Sequence, residues 1–371
     1  MAQPDAIIVG GGIIGAACAY ELARAGMKVL VLDAACVGGG TTAAGMGHVV
    51  VMDDSEAQFA LSAYSTRLWH ELEAELPRAA EVDRCGTLWV AEDDEQLEAL
   101  HAKHAYYTSR GVEAEVVDAA EVARLEPNLR TPLAGGLRVP GDRVVYPPYV
   151  ARWLVDRARD LGATVREGCA AERLEDRAVV AGAERLEADV VVNAAGAAAA
   201  RLIPDLPIVP RKGHLAITDR YPGFCRHQLV ELGYLKSAHT MTSESVAFNV
   251  QPRATGQILI GSSRGLVGWD ASPSRSILRR MLQRAIGFMP GLARLTVIRT
   301  WVGFRPATPD KLPLIGRWPA LEGVWVAAGH EGLGITTSLG TARLLADQIL
   351  GREPAIDPAP FWPGRVFVAH E

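Results

Sequence analysis

Short apolar runs separated by glycines begin the chain and indicate an alternation of strands and helices. Residues 5–9 form a β-rich run that predicts a strand, and a glycine-rich turn at 10–15 follows it directly. Residues 16–25 have the composition of a helix, which is expected to end at Gly26 because glycine is typical of helix C-caps. A second strand is predicted over 28–32. The order strand, turn, helix, strand is typical of an α/β layer.

The middle of the chain has a different pattern, in which apolar and polar residues alternate along short runs. Such alternation predicts antiparallel strands, and it occurs over 86–91, 246–250 and 257–260. Amphipathic helices are predicted at 95–109 and 276–288. These segments are expected to form a layer of their own.

The α/β pattern returns after the first of these segments and again near the C-terminus. The segments that carry it are a helix at 148–161, strands at 164–167, 189–192 and 323–328, and a helix at 336–350. One lobe is therefore discontinuous in sequence, with the pieces of the other inserted between its own. Its predicted segments are 1–78, 140–210 and 303–371, and the inserted lobe comprises 79–139 and 211–302.

Composition supports a folded, two-lobed protein and narrows the choice of partners. A chain of 371 residues exceeds the usual size of one core, and 49% apolar with 22% charged residues is ordinary for a well-buried protein. Lysine and arginine number 38 against 43 aspartate and glutamate residues, so the net charge is −5. A net-acidic chain without a basic run argues against nucleic acid and against an anionic membrane surface as partners.

No segment predicts a membrane-spanning helix or a cleavable leader. The most apolar stretches, 7–20 and 190–203, are rich in glycine and alanine and fall short of about 18 uninterrupted apolar residues. The N-terminus carries no positive charge ahead of its apolar run, so no signal peptide is expected. These features predict a cytoplasmic protein.

Cysteine and histidine spacing predicts neither a disulfide framework nor a metal site. The cysteines are scattered and form no CxxC pair, which favours reduced thiols. His101 and His104 share a predicted helix, but no further ligand lies near them in sequence, so a solvated helix face is expected. The five cysteines are Cys18, Cys36, Cys85, Cys169 and Cys225.

A G-x-G-x-x-G motif lies between the first predicted strand and the first helix, at Gly10, Gly12 and Gly15. The first glycine permits the tight turn, the second lets a pyrophosphate approach the backbone, and the third lets helix and strand pack closely. Asp33 follows about 20 residues later, where a carboxylate accepts hydrogen bonds from a ribose hydroxyl. The motif predicts a dinucleotide site without separating FAD from NAD, and a purely structural turn is the alternative.

Two further segments of small residues follow predicted strands. Residues 38–48, GGGTTAAGMGH, permit close approach to a bulky planar ligand and offer the hydroxyls of Thr41 and Thr42 beside a diphosphate. The turn at 193–196, NAAG, offers a second close approach. A flexible surface loop and a tight packed turn are the respective alternatives.

Two motifs near the C-terminus complete a pattern found in a known family. Residues 303–316 are GFRPATPDKLPLIG, and GHEGLGIT at 329–336 begins a predicted helix. With the N-terminal motif, they make nearly the whole chain resemble the D-amino-acid oxidase-like superfamily of FAD-dependent oxidoreductases. The resemblance is closest to glycine and sarcosine oxidases and to amino-acid and hydroxyproline dehydrogenases. It implies an α/β (α+β overall) fold, with a Rossmann-like FAD-binding domain and an inserted antiparallel-sheet substrate domain.

The resemblance implies noncovalent FAD, because the segment before 308–310 lacks the cysteine that covalently flavinylated relatives use there. Residues 10–15 with Asp33 would hold the ADP half, residues 41–47 would run along the ribityl chain and ring, and Ala171 would contact adenine. A helix N-terminus at 329–336 would stabilise negative charge on the reduced flavin. The implied cofactor-binding residues are Gly10, Gly12, Ile13, Ile14, Gly15, Asp33, Ala34, Thr41, Thr42, Ala43, Ala44, Gly45, Met46, Gly47, Ala171, Ala194, Ala195, Gly196, Gly303, Arg305, Gly329, His330, Glu331, Gly332, Leu333, Gly334, Ile335 and Thr336.

The resemblance also implies candidate catalytic residues. Arg305 occupies the position that pairs with the substrate carboxylate in glycine oxidases, and a guanidinium can donate two parallel hydrogen bonds to that group. A structural ion pair is the alternative. Asn249 stands where those oxidases have a pocket tyrosine, and Arg264 where they have an apolar residue, while His48 is placed near the flavin. Gly332 replaces a second arginine, which makes the loop more similar to dehydrogenases that pass electrons to a carrier.

Together these features predict an FAD-dependent amine or amino-acid oxidoreductase, with a dehydrogenase favoured over an oxidase. It would oxidise the C–N bond of a small amino acid or secondary amine by hydride transfer to flavin N5, giving an imine. The expected partners are that substrate and an electron acceptor (a quinone, a carrier or dioxygen), and a peripheral membrane or partner-subunit contact is left open. One alternative is a 2-hydroxy-acid dehydrogenase with His48 or His330 as base. Another is a flavin subunit that relays electrons in a larger complex.

Overall fold

The computed structural model describes residues 3–232 and 244–367 of the chain. Parts of the predicted domains, residues 1–2, 233–243 and 368–371, lie outside the described residues. The chain divides into two units, of which the first comprises 1–80, 146–211 and 304–371 and the second 81–145 and 212–303. Residues 140–145, predicted for the first domain, belong to the second unit. The assignment of one unit to the cofactor and the other to the substrate stays a prediction.

Helices and strands are numbered in chain order. Up to residue 80 they are β1 (Ala6–Val9), α1 (Ile13–Arg24), β2 (Val29–Leu32), α2 (Gly40–Ala44), β3 (His48–Val49) and α3 (Glu56–Glu73). From 81 to 160 they are β4 (Thr87–Ala91), α4 (Asp94–Thr108), β5 (Glu115–Asp118), α5 (Ala119–Leu125), β6 (Gly135–Val139), β7 (Arg143–Val144) and α6 (Pro147–Asp160). From 161 to 232 they are β8 (Thr164–Arg166), β9 (Arg173–Glu175), β10 (Ala178–Ala181), β11 (Glu184–Glu187), β12 (Val190–Asn193), α7 (Ala199–Leu202), β13 (Val209–Arg220) and β14 (Gln228–Glu231). From 244 onwards they are β15 (Ser245–Pro252), β16 (Gln257–Arg264), α8 (Arg275–Phe288), β17 (Val297–Ala307), β18 (Leu314–Arg317), β19 (Val324–Ala328) and α9 (Gly334–Ile349).

The main sheet of the first unit is largely parallel, with the strand order β18-β19-β12-β1-β2-β8. β1 pairs in parallel with β2 and β12, and β12 with β19, whereas β18 is an antiparallel edge strand. All residues of β1 and β2 are buried, which explains why these strands have continuous apolar runs and no alternation. The carboxyl ends of β1, β2, β12 and β19 meet at one edge of the sheet, the edge at which such sheets bind ligands.

The second unit contains a mixed sheet with the strand order β17-β13-β16-β15-β14-β4-β6-β5. β15 and β16 pair antiparallel, as predicted. β4 also pairs antiparallel with β6, but it is parallel to β14. For that neighbour the prediction of antiparallel strands was wrong, because alternation reports which face of a strand is buried and not the direction of the adjacent strand.

Helix α8 packs against one face of this mixed sheet. Its buried residues Ile277, Met281, Ala285 and Phe288 follow helical spacing. The ring of Phe288 stacks on Phe248 of β15, with the ring centroids 4.3 Å apart. Because side chains alternate along a strand, the neighbours of Phe248 in β15 point to the opposite face.

Candidate active site

The turn after β1 brings together two of the predicted motifs. Gly10 has a φ of 107°, which residues other than glycine rarely adopt. A Cβ at this position would lie 2.5 Å from the carbonyl oxygen of Ala194. A Cβ at Gly15 would lie 1.8 Å from the carbonyl oxygen of Gly10. These contacts require glycine at both positions, so the turn at 10–15 packs directly against the turn at 193–196.

Asp33 directly follows β2 and is oriented by the backbone around it. Its Oδ2 accepts a hydrogen bond from the N–H of Gly11 at 2.7 Å, and its Oδ1 accepts one from Ala35 at 2.8 Å. A carboxylate has about four acceptor positions, so both oxygens retain capacity for a further donor such as a ribose hydroxyl. The carbonyl oxygen of Asp33 accepts a hydrogen bond from the N–H of Cys169 at 2.8 Å, which holds the loop that continues to Ala171 near this edge of the sheet.

The N-terminus of α1 fits a dinucleotide phosphate. The N-cap residue is Gly12, which supplies no side-chain cap, and a Cβ there would lie 3.1 Å from Thr42 Oγ1 in the space in front of the helix. Thr42 Oγ1 accepts a hydrogen bond from the N–H of Ile13 at 2.9 Å, so the segment 41–47 is attached to this helix end. Backbone N–H groups and a positive dipole end favour an anion here, beside the Asp33 carboxylate.

The segment 41–48 is also attached to the C-terminal motifs of the same unit. Thr41 Oγ1 donates a hydrogen bond to the carbonyl oxygen of Phe304 at 2.7 Å. Thr336 Oγ1, at the start of α9, donates to the carbonyl oxygen of His48 at 3.0 Å. A Cβ at Gly45 would lie 2.8 Å from Ile335 Cδ1. The segment 41–48, the strand β17 at Phe304 and the start of α9 therefore meet beside the N-terminus of α1. Gly303, which was also predicted to bind the cofactor, is the last residue of the second unit.

His330 lies buried in the loop between β19 and α9. Its Nε2 is 3.0 Å from the hydroxyl of Thr341, and burial lowers the pKa of His330 to about 3. The imidazole is therefore neutral at physiological pH. A group with so low a pKa is a weak general base, which weighs against His330 as the base of a 2-hydroxy-acid dehydrogenase.

The lowered pKa of His330 predicts that the protein loses stability in mild acid. The folded state keeps His330 neutral down to a pH of about 3, whereas the unfolded chain protonates this residue near its usual value of 6.5. Between pH 6.5 and a pH of about 3 the unfolded state binds more protons than the folded state. The free energy of unfolding should therefore fall as the pH falls, by about 1.4 kcal/mol per pH unit. Denaturant titrations at several pH values should show a shallower pH dependence for His330→Gln. Parallel curves for the two proteins would contradict this prediction.

Arg305 lies half-buried on β17, against the loop between β19 and α9. A Cβ at Gly332 would lie 3.7 Å from Arg305 Nε, so the Arg305 side chain lies against this glycine. The next residue of β17 is also attached to the loop, because the carbonyl oxygen of Pro306 accepts a hydrogen bond from the N–H of Glu331 at 2.9 Å.

One buried residue beside this loop was missed by sequence reasoning. Arg211 Nη1 lies 3.4 Å from Glu331 Oε1, and only 3% of the Arg211 side chain is exposed. Arg211 precedes Lys212 in a polar-looking stretch outside every motif, and such a basic pair usually lies in solvent. The sequence offered no signal that this arginine is buried against the C-terminal motif.

The other two candidate residues lie in the second unit. Asn249 and Arg264 are 3% and 4% exposed. Asn249 Oδ1 is buried and has no hydrogen-bond partner among the described residues. A buried polar atom without a partner is costly, which indicates a place for a ligand or an ordered water molecule.

Two further polar side chains share the sheet face of Asn249 and were not predicted. Gln228 of β14 and Thr87 of β4 are directly paired, and both are at least 98% buried. Gln228 Oε1 and Thr87 Oγ1 also lack partners among the described residues. Their neighbours Leu229 and Leu88 belong to the apolar core on the other face, so these polar side chains are buried on the face opposite that core.

The remaining predictions concern metals and membranes. Within 3–232 and 244–367, no group of three or more histidine, cysteine, aspartate or glutamate side chains could hold a metal ion. His101 is exposed and His104 half-buried on α4. None of the helices in the described part of the chain is long and apolar enough to cross a membrane.

Comparison with known proteins identifies a family. The model of the DAO family, described as FAD dependent oxidoreductase, matches residues 5–348. A glycine oxidase from Pseudomonas aeruginosa is 30% identical over 96% of this chain and 98% of that protein. A D-amino acid dehydrogenase from Xanthobacter autotrophicus is 29% identical over 95% of this chain and 97% of that protein. The crystal structure of glycine oxidase from Geobacillus kaustophilus superimposes on this chain with a TM-score of 0.90 and 27% identity. The match covers 99% of this chain and 100% of the glycine oxidase chain.

Proposed function

Because the chain belongs to the DAO family of FAD-dependent oxidoreductases, we propose that it oxidises the C–N bond of a small amino acid or secondary amine. The observation that carries this proposal is the half-buried Arg305, whose side chain lies against Gly332 in the loop between β19 and α9. A guanidinium in this setting suits a carboxylate. The names of the glycine oxidase and the D-amino acid dehydrogenase support a substrate that has both an amine and a carboxylate.

The first unit offers the residues that would hold FAD. The N-terminus of α1, whose N-cap residue Gly12 has no side chain, would bind the diphosphate, and Asp33 would accept hydrogen bonds from the adenosine ribose. The segment 41–47 would run along the remainder of the cofactor, and the N-terminus of α9 would favour negative charge on its pyrimidine edge. When bound, FAD supplies the redox chemistry by accepting a hydride at N5. That the cofactor is held without a covalent bond stays a prediction.

The protein's contribution to the reaction would be to bind and orient the substrate. Arg305 would fix the carboxylate, so that the Cα–H bond of the substrate keeps one direction, and good orientation alone can lower a barrier by several kcal/mol. The amine would bind in its deprotonated form, and the imine product would be hydrolysed by water afterwards. No side-chain base is needed for this route, in agreement with a neutral, weakly basic His330. Roles for His48, Asn249 and Arg264 stay predictions.

Fewer observations bear on the electron acceptor than on the substrate. The loop around Gly332 resembles that of dehydrogenases, which favours a quinone or another carrier over dioxygen. Relatives of similar identity include both an oxidase and a dehydrogenase by name. The 2-hydroxy-acid alternative requires a base, and of its two candidates, His48 and His330, the second is a weak base.

Anaerobic mixing with a panel of compounds should identify the reaction. We expect small amino acids or N-alkylated amino acids to abolish the visible absorbance of the bound flavin, and the matching 2-hydroxy acids to leave it unchanged. Amines of the same shape without the carboxylate should react far more slowly, because they cannot pair with Arg305. Admitting air or a quinone analogue to the reduced protein would then rank the acceptors. Reduction by hydroxy acids alone would replace the proposal with its alternative.

A further inference from the structure

A glutamate outside the sequence motifs holds the loop that follows β2. Glu167 comes directly after β8, and its Oε1 accepts a hydrogen bond from the backbone N–H of Val37 at 2.8 Å. The same oxygen lies 2.9 Å from Arg152 Nη2 on α6. Val37 and Glu167 are 130 positions apart in sequence, so the loop at 35–39 is fixed by a distant part of the chain as well as by its own backbone.

Val37 packs against the turn between β1 and α1. Only 6% of Val37 is exposed. A Cβ at Gly11 would lie 3.1 Å from Val37 Cγ2 and 3.2 Å from Asp33 Oδ2, so Gly11 lies close to both side chains. The N–H of Gly38 donates a hydrogen bond to the carbonyl oxygen of Gly11 at 2.8 Å. The loop and the turn at 10–15 are therefore held together at Gly11.

Gly11 is also the residue that orients the proposed ribose-binding carboxylate. Its N–H donates the hydrogen bond to Asp33 Oδ2 at 2.7 Å. It directly precedes Gly12, the N-cap residue of α1. A displacement of Gly11 would therefore move both groups proposed for the ADP half of FAD, the Asp33 carboxylate and the N-terminus of α1.

Helix α6 lies on another side of the same loop. A Cβ at Gly38 would lie 2.7 Å from the carbonyl oxygen of Pro148, in the first turn of α6. Arg152, the ion-pair partner of Glu167, lies on this helix one turn further along. The loop is therefore packed against both the turn at 10–15 and α6, and the Glu167 carboxylate contacts the loop and the helix together.

We propose that Glu167 is a positioning residue for the ADP half of FAD. Its hydrogen bond keeps Val37 against Gly11, which holds the Asp33 carboxylate and the N-terminus of α1 in the arrangement that binds the ligand. If only a fraction of the molecules has that arrangement, the apparent affinity falls in proportion to the fraction. The inference rests on one part of the proposed function, the placement of the ADP half at Asp33 and α1.

The test measures how tightly the purified holoprotein retains FAD. Dilution releases the cofactor, and the fluorescence of free FAD gives its dissociation constant. Glu167→Met keeps the size of the side chain but removes the acceptor. It should raise the dissociation constant about tenfold, the effect of one lost hydrogen bond to a charged group. Glu167→Gln keeps an oxygen for the N–H of Val37 and should stay within about threefold of the wild type.

Two results on these variants would contradict the proposal. Equal retention of FAD by Glu167→Met and the wild type at every dilution would overturn it. A loss of about tenfold in Glu167→Gln would also overturn it, whatever Glu167→Met does, because the acceptor for Val37 is still present. Since the Glu167 side chain is partly exposed, both variants are expected to fold.

Competition with the two halves of the cofactor locates the effect. ADP and FMN are added separately to the holoprotein, and the FAD that each displaces, measured by chromatography after filtration, gives the dissociation constant of the competitor. Glu167→Met should weaken ADP about tenfold and FMN less than about twofold, because the loop contacts only the groups proposed for the ADP half. Equal losses for ADP and FMN, or a lower melting temperature with both constants unchanged, would show a merely structural role and overturn the proposal.

Two further variants separate the hydrogen bond from the ion pair. Arg152→Met removes the ion pair and leaves the bond between Glu167 and Val37, so it should retain FAD within about twofold of the wild type. Glu184→Met is the matched control, because Glu184 pairs with Arg166 at 2.8 Å on the surface of the same unit. It should also stay within about twofold. A loss in Arg152→Met as large as that in Glu167→Met would assign the effect to the ion pair and overturn the proposal.

Asp33→Ala separates the positioning role from the placement on which it depends. This variant should weaken ADP more than Glu167→Met does, because it removes the carboxylate itself. If Asp33→Ala leaves ADP binding unchanged, the proposed placement of the cofactor fails, and the role of Glu167 fails with it. If only the Glu167 variants behave like the wild type, the positioning role fails and the proposed oxidation of a C–N bond stays intact.

Discussion

Arg305→Ala is expected to reduce kcat/KM for the amino-acid substrate by roughly 30-fold or more, mainly through a higher KM. The change removes a charge-assisted pair with the substrate carboxylate, which is worth about 2–5 kcal/mol in a partly dry site. The content of bound FAD should be preserved, because the cofactor-binding groups proposed at Asp33 and the N-terminus of α1 are untouched. Steady-state kinetics and the ratio of flavin to protein absorbance measure the two effects separately.

A matched control for this variant lies on the same strand. Arg299 is exposed on β17, and Arg299→Ala removes the same charge and the same side chain from an exposed position of that strand. It should leave kcat/KM within about twofold of the wild type. Arg305→Ala with full flavin occupancy and unchanged kcat/KM would exclude Arg305 from substrate binding.

Gly15→Ala is expected to abolish FAD binding and to destabilise the first unit. The added Cβ would lie 1.8 Å from the carbonyl oxygen of Gly10 and 3.3 Å from Ala194 Cβ. The carbonyl oxygen of Gly10 belongs to the backbone of a tight turn, so this oxygen cannot move without shifting α1 away from β1. Overpacking of this kind costs about 3 kcal/mol or more in the free energy of unfolding. Flavin content and a denaturant titration of the purified variant measure both effects.

The control for the glycine variant is the same change where space is open. Gly287 lies inside α8, and nothing lies within 4 Å of a Cβ added there. Gly287→Ala should be neutral or stabilising by up to about 1 kcal/mol, because alanine has the higher helix propensity. A Gly15→Ala protein with wild-type flavin content would show that α1 can tolerate the displacement and that the close packing is not required for the cofactor.

The parts of the fold that sequence could predict are those whose pattern has a local cause. Continuous apolar runs predicted β1 and β2 because these strands are buried on both faces. Helix α8 was predicted within one residue of its start, since its apolar side chains repeat at helical spacing. The first helix begins at Ile13, three residues before the predicted start, because the glycine motif itself forms the N-terminus of α1.

Helix α3 shows why other elements escaped prediction. It spans Glu56–Glu73, yet its buried face includes the polar residues Ser62 and Ser65. Ser65 donates a hydrogen bond to the carbonyl oxygen of Thr336 and accepts one from the N–H of Gly340, so these small side chains allow α3 and α9 to approach closely. A helix that is buried through small polar residues has little hydrophobic periodicity, and its partner lies more than 260 residues away in sequence.

The residues of the candidate site also fall into those that sequence could predict and those that it could not. Gly10, Asp33 and Arg305 stand in motifs whose chemistry can be read directly from residue type and spacing. Arg211, Gln228 and Thr87 could not be found this way, because their importance arises from burial and from partners supplied by other strands. Sequence therefore predicts the groups that a ligand requires, whereas polar residues that are buried by distant parts of the chain become visible only in the folded structure.

The order of strands in the first unit has a consequence for synthesis on the ribosome. β1 can pair with β2 early, but its other neighbour is β12 at Val190–Asn193, and β12 in turn needs β19 at Val324–Ala328. At translation rates of about 5–20 residues per second, β19 emerges on the order of half a minute after β1. During that interval the nascent chain carries an unpaired, largely apolar strand edge, first that of β1 and then that of β12, of the kind that aggregates. Expression yield should therefore depend on chaperones that shield the first strands, and any chain ending before residue 324 would keep this edge open permanently.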